Sequence, residues 1–180
     1  MELSTAIALI RKGIRNESIE PQVWADLGAG SGLFSRALAT LLPPASKIYA
    51  VDRDQASLNE IDWPYPDKTL IRVNADIQET LQLPMLELPM LDGALLANVM
   101  HFLPDQSGLL KTLQRRLVQN GAFIIIEYDT NLGNRWVPYP ISFDRMKKLA
   151  ASLGLDIRLL GKERSRYNSG TLYSVLLRPE

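Results

Sequence analysis

A short apolar run, Val23-Trp24-Ala25, leads into Asp26-Leu27-Gly28-Ala29-Gly30-Ser31-Gly32, and from there directly into residues whose apolar positions, Phe34, Ala37, Leu38, Leu41 and Leu42, repeat at helical spacing. Three glycines within five residues remove Cβ atoms where a strand turns into a helix, so the backbone is free to take positive φ and to approach another group closely. A strand without polar alternation needs cover on both faces, and Pro43-Pro44 stop the helix that follows. The junction is therefore a βα unit of a layered sheet. A helix N-terminus behind the glycines suits a polar or anionic ligand group.

The same pattern returns along the chain. Leu3, Ala6, Ile7, Ile10 and Ile14 predict a first amphipathic helix to about residue 12, with Ser4 as its N-cap and Gly13 at its end. Residues 47–51 read as a strand ending at Asp52, with a short helix to Ile61. Residues 70–74 read as a third strand, ending at Asp76. Pro84 and Pro89 forbid a long regular element over 81–91. A fourth strand is expected over 93–99, a helix over 105–118 capped by Asp105, and a turn at Asn120-Gly121. The most hydrophobic strand follows over 122–127. After a loop over 131–140 come a helix over 142–152 with Gly154 at its C-cap, then strands over 155–160 and 171–178 that pair antiparallel. The expected fold is α/β: a single doubly wound, mostly parallel seven-stranded sheet, Rossmann-like, with helices on both faces and an antiparallel strand near the C-terminus. Residues 1–180 read as one domain, 1–20 being its N-terminal helical segment.

Composition excludes several classes of function. Twenty basic and twenty acidic side chains cancel, which leaves no electrostatic footprint for nucleic acid or an anionic membrane. The chain has no cysteine, so disulfides, thiolate metal sites and cysteine nucleophiles are impossible. No metal-ligand spacing is apparent. Met1-Glu2-Leu3-Ser4 places an acid where a secretory signal has basic residues, and the longest apolar run, near 122–126, is far below transmembrane length. The expectation is an untargeted cytoplasmic protein, monomer or homodimer, with no membrane or nucleic-acid partner.

Two ligand classes use a glycine turn of this kind. A dinucleotide fingerprint, G-x-G-x-x-G, requires glycine where this chain has Leu33, and Asp26 suits a cationic ligand group better than a pyrophosphate. Both points count against a nicotinamide-dependent reductase. The stretch from Asp26 to Gly32 instead resembles the first motif of class I S-adenosylmethionine-dependent methyltransferases, acid-x-G-x-G-x-G. The family's acid at the end of the second strand is matched by Ile48-Tyr49-Ala50-Val51-Asp52, and its acid after the third by Val73-Asn74-Ala75-Asp76-Ile77. Asn98-Val99-Met100-His101 differs from the Asn/Asp-Pro-Pro-Tyr of amino-directed nucleic-acid methyltransferases, so the small-molecule subfamilies are the closer match.

The resemblance implies S-adenosylmethionine as cofactor, a small-molecule acceptor, and a set of site residues. Asp26 with Gly28, Ala29, Gly30, Ser31 and Gly32 would hold the methionine part, Asp52 the ribose hydroxyls, and Asp76 with Ile77 the adenine. Arg53 and Asn98 are further candidates for the donor site; a solvated surface role and a strand cap are their alternatives. Acceptor-side candidates are Phe102, Glu127, Tyr128, Trp136 and Tyr139, the last two as a lid or as loop anchors. His101 would be the catalytic base if the acceptor loses a proton, or otherwise a structural residue. The basic run from Lys162 to Arg166, with Tyr167, reads as a solvated hairpin or as a contact for an anionic acceptor. A binding or regulatory protein that retains the fold without catalysis is the other reading.

Overall fold

The computed structural model describes residues 1–14, 19–77, 88–164 and 170–180. Strands β1 (Val23–Leu27), β2 (Lys47–Asp52), β3 (Thr69–Asn74), β4 (Leu91–Ala97), β5 (Leu117–Tyr128), β6 (Leu155–Arg164) and β7 (Thr171–Pro179) form a seven-stranded sheet in the order β3-β2-β1-β4-β5-β7-β6. The β1, β2, β3, β4 and β5 pairings are parallel, and β7 runs antiparallel to both of its neighbours. The helices are α1 (Leu3–Ile10), α2 (Leu33–Leu41), α3 (Gln55–Asn59), α4 (Gln106–Gln114) and α5 (Phe143–Ser152).

The unbroken apolar strands have the cover they require. On β5, Phe123 and Ile125 join one core with Leu109, Leu110 and Leu113 of α4 and Met146 and Ala150 of α5. The alternate residues Ile124 and Ile126 join a second core with Ala6, Leu9 and Ile10 of α1 and Phe34, Ala37 and Leu38 of α2. A side chain such as Ile124, fully buried, contributes roughly 1.5–3 kcal/mol through its transfer from water. Two such layers, one on each face, hold the strand ends in place.

Several boundaries differ from expectation, each for a local reason. The α1 cap is Glu2, whose carbonyl accepts the Thr5 and Ala6 N–H groups, so Ser4 lies inside the helix. The fourth helix stops at Gln114 instead of running to residue 118: Leu91 N–H donates to the Arg116 carbonyl at 2.7 Å, and Leu117 pairs with Leu91, drawing 117–119 into β5. Asn120, at φ 74°, lies within that strand at a register shift. β4 ends at Ala97 because Asn98 takes φ 56°, in the left-handed region. Asp105 caps α4 as expected, Ser142 caps α5 by accepting from Arg145 N–H, and Gly154 has φ 63°. Pro84, Arg166 and Tyr167 lie outside the described residues.

Candidate functional site

The strand order reverses between β1 and β4, and the ends of these two strands open the crevice in which ligands of doubly wound folds bind. On the β1 side the glycine turn is fastened to β2. Gly28 and Ala29 donate to the Val51 carbonyl at 2.8 and 3.0 Å, and Gly30 N–H donates to Asp52 Oδ2 at 2.7 Å. The other Asp52 oxygen accepts Asp54 N–H at 2.9 Å. Each carboxylate oxygen has a second lone pair for a ligand hydroxyl. Gly28, Gly30 and Gly32 have φ of 79, 52 and 81°. A Cβ on Gly28 would lie 2.7 Å from Val99 and one on Gly32 2.6 Å from Ile61, whereas one on Gly30 would meet nothing within 4 Å. The first and third glycines are thus required by packing. The second leaves open space.

A cleft of about 160 Å³ lies at these strand ends, and Gly28, Asp52, Arg53, Asp76, Ile77 and Asn98 line it together with Ala75, Val99, Phe102 and Leu103. Arg53 approaches Asp76 at 3.8 Å and is two-thirds exposed. Ile77 is buried at the cleft wall. Ala75, Val99 and Leu103 went unrecognised in the sequence, although they flank residues that were. Ala29, Gly30, Ser31 and Gly32 do not line this cleft: Ala29 packs on Ala50, Leu58 and Ile61, and Ser31 is solvent-exposed.

Asp26 is not where its expected role would require. It is 1% exposed, absent from the cleft wall, and its Oδ2 accepts the Ser35 hydroxyl at 2.6 Å. Burial pushes its carboxyl from 3.8 up to about 7, against the Ser35 hydrogen bonds that lower it, while the Asp52 charge raises it further. It ties β1 to α2 behind the glycine turn, a supporting position.

A second pocket, of about 530 Å³, adjoins the cleft through the shared residues Asn98 and Phe102, and is walled by His101, Tyr128, Trp136, Asn134 and Val137. Asn98 N–H donates to the Ile126 carbonyl at 2.8 Å, but its buried Oδ1 has no hydrogen-bond partner, an arrangement that native structures rarely tolerate without a reason. His101 lies on a 3-10 turn, Met100–Phe102, 3% exposed. Its Nδ1 is 2.7 Å from Glu127 Oε2, and its backbone N–H donates to Oε1 at 3.3 Å. Glu127 is fully buried, so it stands behind His101 and not, as expected, against an acceptor.

Other expected contacts are also redistributed. Tyr139 does not line the second pocket; its N–H donates to the His101 carbonyl at 2.9 Å, which anchors the 131–140 loop to the histidine turn. Trp136 does line it, with three-quarters of its surface exposed. Asp129 accepts the N–H of Phe143 at the start of α5 and an ion pair from Lys162. A third cavity, about 310 Å³, shares Asn98 and Tyr128 and is lined by Met1, Thr5, Phe34, Glu163 and Arg164. Met1 and Thr5 of the N-terminal segment therefore reach the neighbourhood of the site.

The sheet order, with β7 inserted antiparallel between β5 and β6, defines the Rossmann-like fold of class I methyltransferases. The chain belongs to the methyltransferase domain family, whose model matches residues 25–123. No curated protein matches it. Among solved structures it is similar to an arsenic(III) S-adenosylmethionine methyltransferase from Chlamydomonas reinhardtii, at 19% identity and a TM-score of 0.68 over 98% of this chain and 72% of that one. It is similar also to the magnesium protoporphyrin IX methyltransferase of Synechocystis PCC 6803, solved with bound S-adenosylmethionine, at 16% identity and a TM-score of 0.69, covering 99% and 78%. An S-adenosylmethionine-dependent methyltransferase from Methanosarcina mazei gives 12% and 0.69, covering 95% and 96%. At these identities the likeness is one of fold. Among the described residues no helix is long and apolar enough to cross a membrane.

Proposed function

We infer that the chain, acting as one domain, transfers a methyl group from S-adenosylmethionine to a small-molecule acceptor. The observation that carries this reading is the continuity of two cavities at the β1/β4 switch point. One is lined by the acids of β2 and the β3 end, the other by aromatic side chains, and Asn98 and Phe102 belong to both. The residues present fit the donor. Gly30 leaves open space at the turn, Asp52 has acceptor capacity for two ribose hydroxyls, Asp76 and Ile77 suit an amino-bearing flat base, and the orphaned Asn98 carbonyl awaits a donor group. When bound, the sulfonium supplies a methyl group already activated for transfer. What remains for the protein is to align the acceptor with it and to exclude water.

Calorimetry tests this. S-adenosylhomocysteine is expected to bind and NAD not to. Asp52→Ala should weaken S-adenosylhomocysteine binding by about 10- to 100-fold, the loss of charge-assisted bonds worth about 1.5–3 kcal/mol. Binding of NAD alone, or an unchanged affinity in the variant, would count against the assignment.

A further inference from the structure

We propose that Glu127 is a positioning residue for His101, and that the acceptor is a weakly acidic hydroxyl on a flat apolar ring, a phenol-type small molecule. The proposal rests on the methyl-transfer reading above and deepens it. It begins with a residue in the wrong place. Strand alternation puts Glu127 on the same face of β5 as Phe123 and Ile125, both in the apolar core, where a carboxylate costs several kcal/mol to bury unless it is well partnered. Its partner is a second buried ionisable group, His101, gripped at both the ring and the backbone.

That grip decides which nitrogen is available. In this assignment Nδ1 carries the proton and donates to the Glu127 carboxylate, which leaves the ring's electron pair on Nε2. His101 is among the residues lining the aromatic pocket, its ring centroid 4.2 Å from that of Phe102 and 5.6 Å from that of Tyr128. With Trp136 and Val137 these walls suit a flat apolar ring. Among the described residues that line the pocket there is no Asp, Glu, Lys or Arg, a lining that suits an uncharged acceptor.

A base is useful only to an acceptor that must lose a proton. Thioethers and tertiary amines have none, and a thiol, with an ordinary pKa of about 8.5, supplies its own anion; a phenol near 10 lies within reach of an imidazole. The acceptor O–H proton passes to His101 Nε2 while an oxygen electron pair forms the new O–CH₃ bond; the S–C bond breaks with its pair left on sulfur, giving a neutral thioether. The imidazolium is held by the Glu127 carboxylate and later returns its proton to water.

His101 is the only histidine in the sequence, so ¹⁵N-histidine NMR reports on this ring alone and needs no variant. The wild type is expected to show the Nδ1-protonated tautomer, and Glu127→Gln, whose amide can also turn a donor toward the ring, a mixture. With labelled S-adenosylmethionine and matched phenols, anilines and aryl thioethers, phenols should be labelled. Glu127→Gln should lower kcat about 10- to 100-fold with the acceptor KM unchanged, and His101→Ala should lower it at least 100-fold. S-adenosylhomocysteine should bind both variants as it binds the wild type. Labelling of thioethers or anilines but no phenol, no labelling despite donor binding, or a kcat and tautomer indifferent to Glu127→Gln would each overturn the proposal. Failure of S-adenosylhomocysteine to bind the wild type would instead overturn the methyl-transfer reading beneath it.

Discussion

Asp26 and Glu127 are both carboxylates at the ends of buried strands, and their partners separate their roles. Asp26 has a neutral partner, the Ser35 hydroxyl, and its carboxyl is pushed up to about 7 by burial; Glu127 has His101. For Asp26 the folded protein keeps a proton that the unfolded chain, at an ordinary value of 3.8, has released. Stability from this group is therefore greatest below about pH 4 and is lost as pH rises through about 7, a swing of order 4 kcal/mol at most. Asp26→Asn retains an acceptor for Ser35 without the charge. Denaturant titrations from pH 5 to 8 should show the variant gaining on the wild type as pH rises, and a constant difference would refute the shift.

At the scale of the element, the glycine turn combines two functions that its sequence does not distinguish. Gly32 precedes α2 with Ile61 against it, and Gly30 faces open space. Gly32→Ala should cost about 1–3 kcal/mol of stability, from a left-handed residue combined with a clash. Gly30→Ala should cost about 1–2 kcal/mol, from backbone strain alone, yet reduce S-adenosylhomocysteine affinity more strongly. Thermal melts read beside calorimetry check this; equal effects on both quantities in both variants would show that the turn has no division of labour. Strands and helices in this half were legible because glycines, prolines and unbroken apolar runs act locally. The end of α4 was not, because residues 117–119 keep a helical apolar pattern and join β5 only by pairing with Leu91, 26 residues earlier.

Over the whole molecule, α1 is bound to the last strand it meets. Ser174 on β7 donates to the Leu9 carbonyl at 2.8 Å inside the core, and Ile10 is fully buried beside α2. Ile10→Ala should lower unfolding free energy by about 2–5 kcal/mol, measured by urea titration; a loss under 1 kcal/mol would mean that the N-terminal helix is not integral to the fold. Periodicity in the sequence sufficed for the α/β sheet, and the resemblance of the three acidic motifs to a known family pointed to the methyltransferase domain and to residues around the cleft, since these signals depend on residues close in the chain. Which carboxylates line the cleft was decided only by tertiary structure. Asp26 and Asp52 both end strands beside the same glycine turn, and burial alone sets them apart. The pairing of Glu127 with His101 joins side chains 26 residues apart across β4 and β5, and no local pattern encodes a contact made by two adjacent strand ends in a sheet.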